Sequence, residues 1–115
     1  MLIRSQNKAI LLNFSNSTVV YIVKNDKDFV ILSLENENRY RLGKYSSEAK
    51  AMKVLNMIQE AYANAKLVQE TVPNIGKMFA EASASKENEL LAKAIGEALM
   101  KEMVFQMPED SEVEV

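Results

Sequence analysis

Three short stretches hold residue types from which a site could be built. RYRLGK, residues 39–44, mixes cations with an aromatic and can contact nucleic acid. Its span is short and the chain is acidic overall, at a net charge of −2, which disfavours that partner. Phe79 stands between Lys77, Met78 and the small-residue run AEASAS. It is either a core or interface aromatic, or a flat surface against which a nucleobase stacks while small neighbours leave room for ligand. Glu109 and Asp110 are adjacent acids after Pro108. Such a pair can hold a hard cation, but in a polar tail it is ordinarily solvated, and no metal is expected.

Absent residue types narrow the chemistry further. The chain has no histidine and no cysteine. The commonest general base, the usual catalytic triads, thiolate metal sites and disulfides are therefore missing together. The three glycines, Gly43, Gly76 and Gly96, are too far apart for a phosphate-binding loop. No enzyme and no cofactor is expected. MLIRSQNKAILLNF is neither a signal peptide nor a membrane span, so the expected location is the cytoplasm and no membrane partner is expected. Residues 1–57 hold nine Lys/Arg against five Asp/Glu, and residues 58–115 five against eleven. Such polarity favours self-association or a charged ligand, although surface charge also scatters unevenly in small proteins.

The elements that must position these residues are legible in the hydrophobic pattern. At 115 residues a single α+β domain is expected. Segments 2–6, 9–14, 19–24, 29–34 and 39–45 read as an N-terminal antiparallel sheet of about five short strands, divided by polar turns. Alternation along RYRLGKY sends Arg39, Arg41 and Tyr45 to one face and Tyr40 and Leu42 to the other. Ser46 caps a helix whose apolar stripe is Met52, Leu55, Ile58, Tyr62 and Ala65, while Ala51, Val54 and Met57 are left for a further partner. Pro73 opens a second long helix running to Met103. Some thirty residues make a rod of about 45 Å, against a domain diameter of about 35 Å. That rod either kinks near residues 83–85 or packs against another copy through small residues such as Ala80, Ala84 and Ala98. VFQM, residues 104–107, then returns as a short terminal strand to the edge of the N-terminal sheet, ended by Pro108. The acidic tail would lie beside Arg39 and Arg41, and residues 111–115 have little to bury.

MLIRSQNK, YSSEAKAMKVLNMIQEAY and VFQMPED, in this order, resemble a group of small uncharacterised proteins of Gram-positive bacteria and their phages. The three segments cover about a third of the chain. The expected arrangement of sheet, two long helices and terminal segment is also similar to the phage anti-Thoeris proteins. Those are non-enzymatic sponges that sequester cyclic ADP-ribose-type signals, some also cyclic oligonucleotides, and assemble as dimers and hexamers. The resemblance implies stacking of a base on Phe79 and polar contacts from the terminal segment at Glu109 and Asp110. The family pattern would put a basic residue in that segment, where this chain has Glu109. Phosphates would then face Arg39, Arg41, Lys77 or a neighbouring subunit.

The expectation is an oligomeric, non-enzymatic anti-defence protein in the host cytoplasm that binds a small nucleotide signal. Two alternatives stand beside it. One is a direct inhibitor of a host defence complex whose acidic half mimics nucleic acid, and the other a structural or regulatory phage protein.

Overall fold

The computed structural model describes residues 1–16, 19–82 and 104–115, with the side chains of residues 16 and 68–82 excluded. The order is β1 (Leu2–Arg4), β2 (Leu11–Asn13), β3 (Val19–Asn25), β4 (Asp28–Glu35), β5 (Asn38–Tyr45), α1 (Glu48–Ala82) and β6 (Val104–Gln106). Single turns of 3-10 helix follow β2 at Phe14–Asn16 and β6 at Asp110–Glu112.

The expected single five-stranded sheet is instead two sheets of three strands, ordered β2-β1-β6 and β3-β4-β5. The cause is the length of the first hairpin. β1 and β2 are three residues each, and Ser5 to Ile10 form a compact connection rather than a two-residue turn. Within it the buried Ser5 hydroxyl donates to Asn7 Oδ1 at 2.7 Å and accepts from Ile10 N at 3.0 Å. Lys8 occupies the left-handed region at φ 65°. So short a pair cannot extend the longer meander, and its free edge is completed by β6, which runs parallel to β1. In the larger sheet β4 pairs antiparallel with β3 and β5. Its two-residue loops place Asp26 and Asn36 at positive φ, 54° and 56°, a conformation Asp and Asn tolerate.

The two long helices expected after the sheet are also corrected. Among the described residues there is one, α1, and it continues through Pro73 and Gly76 to Ala82. An interior proline removes one i→i−4 hydrogen bond and costs about 3 kcal/mol. The immediate neighbours of Pro73, namely Thr71, Val72, Asn74, Ile75 and Gly76, are weak helix formers, and stronger ones such as Leu67, Gln69, Lys77, Met78 and Ala80 stand only farther out. At about 1.5 Å per residue, its 35 residues make a rod of about 52 Å in a molecule whose longest dimension is 60 Å. The expected kink near 83–85 and the helical positions Ala84 and Ala98 lie outside the described residues.

The helix face against the sheets is rotated from the expected stripe. Ala51, Val54, Ile58 and Ala65 are buried, with Ala61 packed beside them, whereas Met52 and Tyr62 are exposed. Small side chains let α1 lie close over β3, β4 and β5. Tyr62 instead leans out against the ring of Phe14, at a centroid distance of 4.9 Å. The helix is capped by Ser47 rather than Ser46: Lys50 N donates to Ser47 Oγ at 3.2 Å and Ala51 N to Ser47 O at 3.1 Å. One core joins all parts, with Ile3 and Leu12, Ile31 and Leu42, the α1 stripe, and Met107 and Val113 in a single cluster. Val113 is only 4% exposed, so the tail does have something to bury. No helix among the described residues is long and apolar enough to cross a membrane.

Candidate functional site

The site begins with an irregularity in β5. Ile31 pairs with Gly43 but the next residue of β4, Leu32, pairs with Arg41, so Leu42 is an extra residue and the alternation shifts by one. Arg41 and Lys44 therefore share the outer face, opposite Leu32 and Val30, although they are three positions apart. The same shift turns Tyr45 inward, where it is 1% exposed, and corrects the expectation that it shares a face with Arg39 and Arg41. Gly43 permits this packing. A Cβ there would lie 3.1 Å from both Cε2 and the hydroxyl oxygen of Tyr45, and 3.2 Å from Cε of Met107.

Beside the bulge is a cleft of about 260 Å³ between the β1–β2 connection and β5. Gln6, Asn7 and Ile10 form one wall, and residues 41–44 form the other. Gln6 is fully engaged. Its Nε2 donates to Lys44 O at 3.2 Å and to Pro108 O at 3.1 Å, and its Oε1 accepts from Lys44 N at 2.9 Å. Asn7 Oδ1 accepts from Ser5 Oγ and from Ala9 N, the latter at 3.0 Å. A backbone N–H can only donate, which fixes this amide's orientation and leaves its two protons without a partner among the described residues. Lys44 Nζ lies 3.7 Å from Asp28 Oδ2, with both side chains about half exposed. A pair of that kind holds loosely.

The terminal segment sits on the other side of Gln6, over the start of α1, and not beside Arg39 and Arg41 as expected. β6 is followed by Met107, whose N–H bonds to Arg4 O at 3.0 Å and whose side chain is 1% exposed. The carbonyl of Pro108 receives both Gln6 Nε2 and the Tyr45 hydroxyl, the latter at 2.8 Å. Asp110 Oδ1 accepts from Ser46 N at 2.8 Å and from Ser46 Oγ at 3.0 Å. Lys50 Nζ donates to Asp110 O at 2.9 Å and lies 3.4 Å from Oδ2. Lys53 Nζ donates to the carbonyl of Glu114.

These contacts perturb two titrations among the described residues. Burial, and then the negative charges of Glu109, Asp110 and Glu112, push the Tyr45 hydroxyl above its ordinary value. The backbone N–H of Ser46, helped by the Ser46 hydroxyl and by Lys50, holds the Asp110 carboxyl below its ordinary value, against a smaller opposing effect of desolvation.

Of the residues proposed from sequence, Arg39 and Arg41 are exposed on β5, and only Arg41 lines the cleft. Asp110 is committed to Ser46 and Lys50. Glu109 is exposed, its N–H donating to Glu112 Oε1 at 3.1 Å. Lys77 and Phe79 lie on α1, but their side chains are outside the described ones. Asn7 was missed as a candidate, and Lys44 was named only as the end of RYRLGK and not as a ligand-binding residue. Gly43 inside a strand pattern is the signal that could have found Lys44, because an interior strand glycine often marks a bulge. No group of three or more acidic, histidine or cysteine side chains among the described residues could hold a metal ion. No protein-family model, no curated protein sequence and no solved structure matches the chain.

Proposed function

We propose that this protein is a non-enzymatic binding protein that captures a small nucleotide signal, of the cyclic nucleotide or cyclic ADP-ribose type, in the service of phage anti-defence. The observation that carries the reading is the shared direction of Arg41 and Lys44. The bulge turns both cations to one side of β5, at the mouth of a cleft whose Arg41 and Asn7 donors have no partner among the described residues. Charge-assisted contacts of that kind suit phosphate. The chain has no histidine or cysteine to act on what is bound. Among the described residues the groups with shifted titrations, Tyr45 and Asp110, are both engaged in holding the terminal segment. Phe79 and Lys77 stand about thirty residues along α1 from its start, roughly 45 Å, so a base held at the cleft could stack on Phe79 only of a second copy. Arg39, outside the cleft, is given no part in binding, and Glu109 is the acid left to meet ribose hydroxyls. The rod of α1, with Met52 and Tyr62 exposed, would supply contacts for assembly with further copies.

The alternative of an acidic mimic is less well supported. Asp110 is paired with Lys50, and the Glu114 carbonyl accepts from Lys53, so lysines interrupt the acidic surface of the tail.

The test is to incubate the protein with a panel of cyclic nucleotides and cyclic ADP-ribose isomers, remove free ligand, and release what is bound by heating. Intact ligand is the expected product. Recovery of a hydrolysed or rearranged product would refute a purely sequestering role, and recovery of no ligand from any member would refute nucleotide capture.

A further inference from the structure

The cleft beside β5 offers donors and almost no acceptors. The Arg41 guanidinium has no partner among the described residues, and the amide protons of Asn7 are likewise unengaged. Among the described residues the Lys44 ammonium is held only by a 3.7 Å pair with Asp28. No carboxylate lines the walls, and the one amide oxygen on the Asn7 side is taken up by Ser5 and Ala9. The Gln6 side chain, saturated at both ends, fixes the wall without offering a donor of its own. At about 260 Å³ the space is smaller than the 300–1,000 Å³ of sites that enclose a whole ligand. It is adequate for a phosphoryl group or a pair of them.

We propose that this cleft is a phosphate-ester subsite, in which Arg41, Lys44 and Asn7 bind one or two phosphoryl groups while the rest of the ligand lies outside. The inference rests on the nucleotide-capture reading and narrows it, by placing phosphate recognition in residues 7 and 41–44 and away from the terminal acids. A planar guanidinium can give a phosphate two parallel hydrogen bonds, which fixes its orientation. Lys44 adds a mobile point charge whose exchange of Asp28 for ligand breaks only a loose, exposed pair. Asn7 adds neutral donors from the opposite wall, so the anion is gripped from both sides.

Calorimetric titration of the full chain with inorganic pyrophosphate, ADP-ribose and uncharged ribose tests this. Wild type is compared with Arg41→Gln, Asn7→Asp and Lys44→Gln, and with Arg39→Gln as a control on the same strand outside the cleft. Asn7→Asp keeps the oxygen that serves Ser5 and Ala9, but replaces the donors with a negative charge. Melting temperatures verify that each variant is folded, and Lys44→Gln provides an independent route if Asn7→Asp loosens its turn. Pyrophosphate and ADP-ribose are expected to bind wild type and ribose is not. Arg41→Gln and Asn7→Asp should each weaken both anions about 10-fold or more, and Arg39→Gln much less. Cleft-dependent binding of pyrophosphate without capture of any cyclic nucleotide would uphold the subsite and remove the nucleotide-capture reading. Three results would overturn the subsite: nucleotide capture that survives the cleft substitutions, equal losses from Arg39→Gln and Arg41→Gln, or no binding of pyrophosphate.

Discussion

Two regions adjoin the same strand, β5, and treat their polar groups in opposite ways. On the side of the terminal segment nearly every group is paired within the chain. The Pro108 carbonyl takes two donors, one of them the hydroxyl of the buried Tyr45, and the Asp110 carboxylate takes Ser46 twice and Lys50. On the side of the cleft, Arg41 and the Asn7 amide protons have no partner among the described residues, and Lys44 is held loosely. The chemistry of an acid such as Asp110 fits either a ligand site or a structural contact. What separates the two is whether its bonding capacity is already filled.

The comparison can be broken most severely from the structural side. Removing residues 104–115 deletes β6, Met107 and Val113 together, and the truncated chain should show no cooperative unfolding transition in urea. Removing only residues 111–115 should still lower stability by about 1.5–3 kcal/mol, the burial of one valine, read as a drop in urea midpoint. A midpoint unchanged from wild type would mean that Val113 adds nothing to the core. Gly43→Ala should cost about 1–3 kcal/mol through overpacking against Tyr45 and Met107, and the same titration measures it.

Tyr45→Phe should cost about 0.5–1.5 kcal/mol, because Pro108 retains its bond from Gln6. It also carries a pH signature. The folded-state value of Tyr45 is raised above its ordinary 10.0, so its contribution is complete below pH 10 and is lost as pH rises beyond it. Wild type should therefore lose stability above pH 10 more steeply than Tyr45→Phe. Asp110 works in the other direction. Its value is held below the ordinary 3.8, so its contribution is present above that pH and disappears as pH falls below it. Asp110→Asn should flatten the acid limb of a melting-temperature profile, and an unaltered limb would show that the Ser46 contact is not maintained in solution. The smallest stability effect belongs to the cleft. Arg41→Gln should shift stability by no more than about 0.5 kcal/mol while impairing anion binding. A large loss of stability there would erase the contrast between the two regions.

Much of the local structure was legible from residue types, because it depends on neighbours in the chain. The strands of the larger sheet lie close to where β-branched and aromatic residues concentrate, and their loops fall at NDKD and ENEN. The start of α1 lies within two residues of the serine pair. The division into two sheets was not legible, since it depends on how the short β1–β2 pair meets β6, about a hundred residues away in the chain. Nor was the continuation of α1 through Pro73, where the proline and its neighbours Thr71, Val72, Asn74 and Gly76 all disfavour a helix locally.

The candidate site divides in the same way. By itself the sequence determined which chemistry is available: no imidazole and no thiol, a cluster of cations in RYRLGK, and acids after Pro108. Only the tertiary structure decided how those groups are used. One extra residue at Leu42 moved Lys44 to the side of Arg41 and Tyr45 into the core. The approach of the terminal segment to α1 turned Asp110 from an available acceptor into one filled by Ser46 and Lys50. The physical reason is that composition specifies a side chain's hydrogen-bonding capacity, whereas the packing of distant segments specifies how much of it remains unspent.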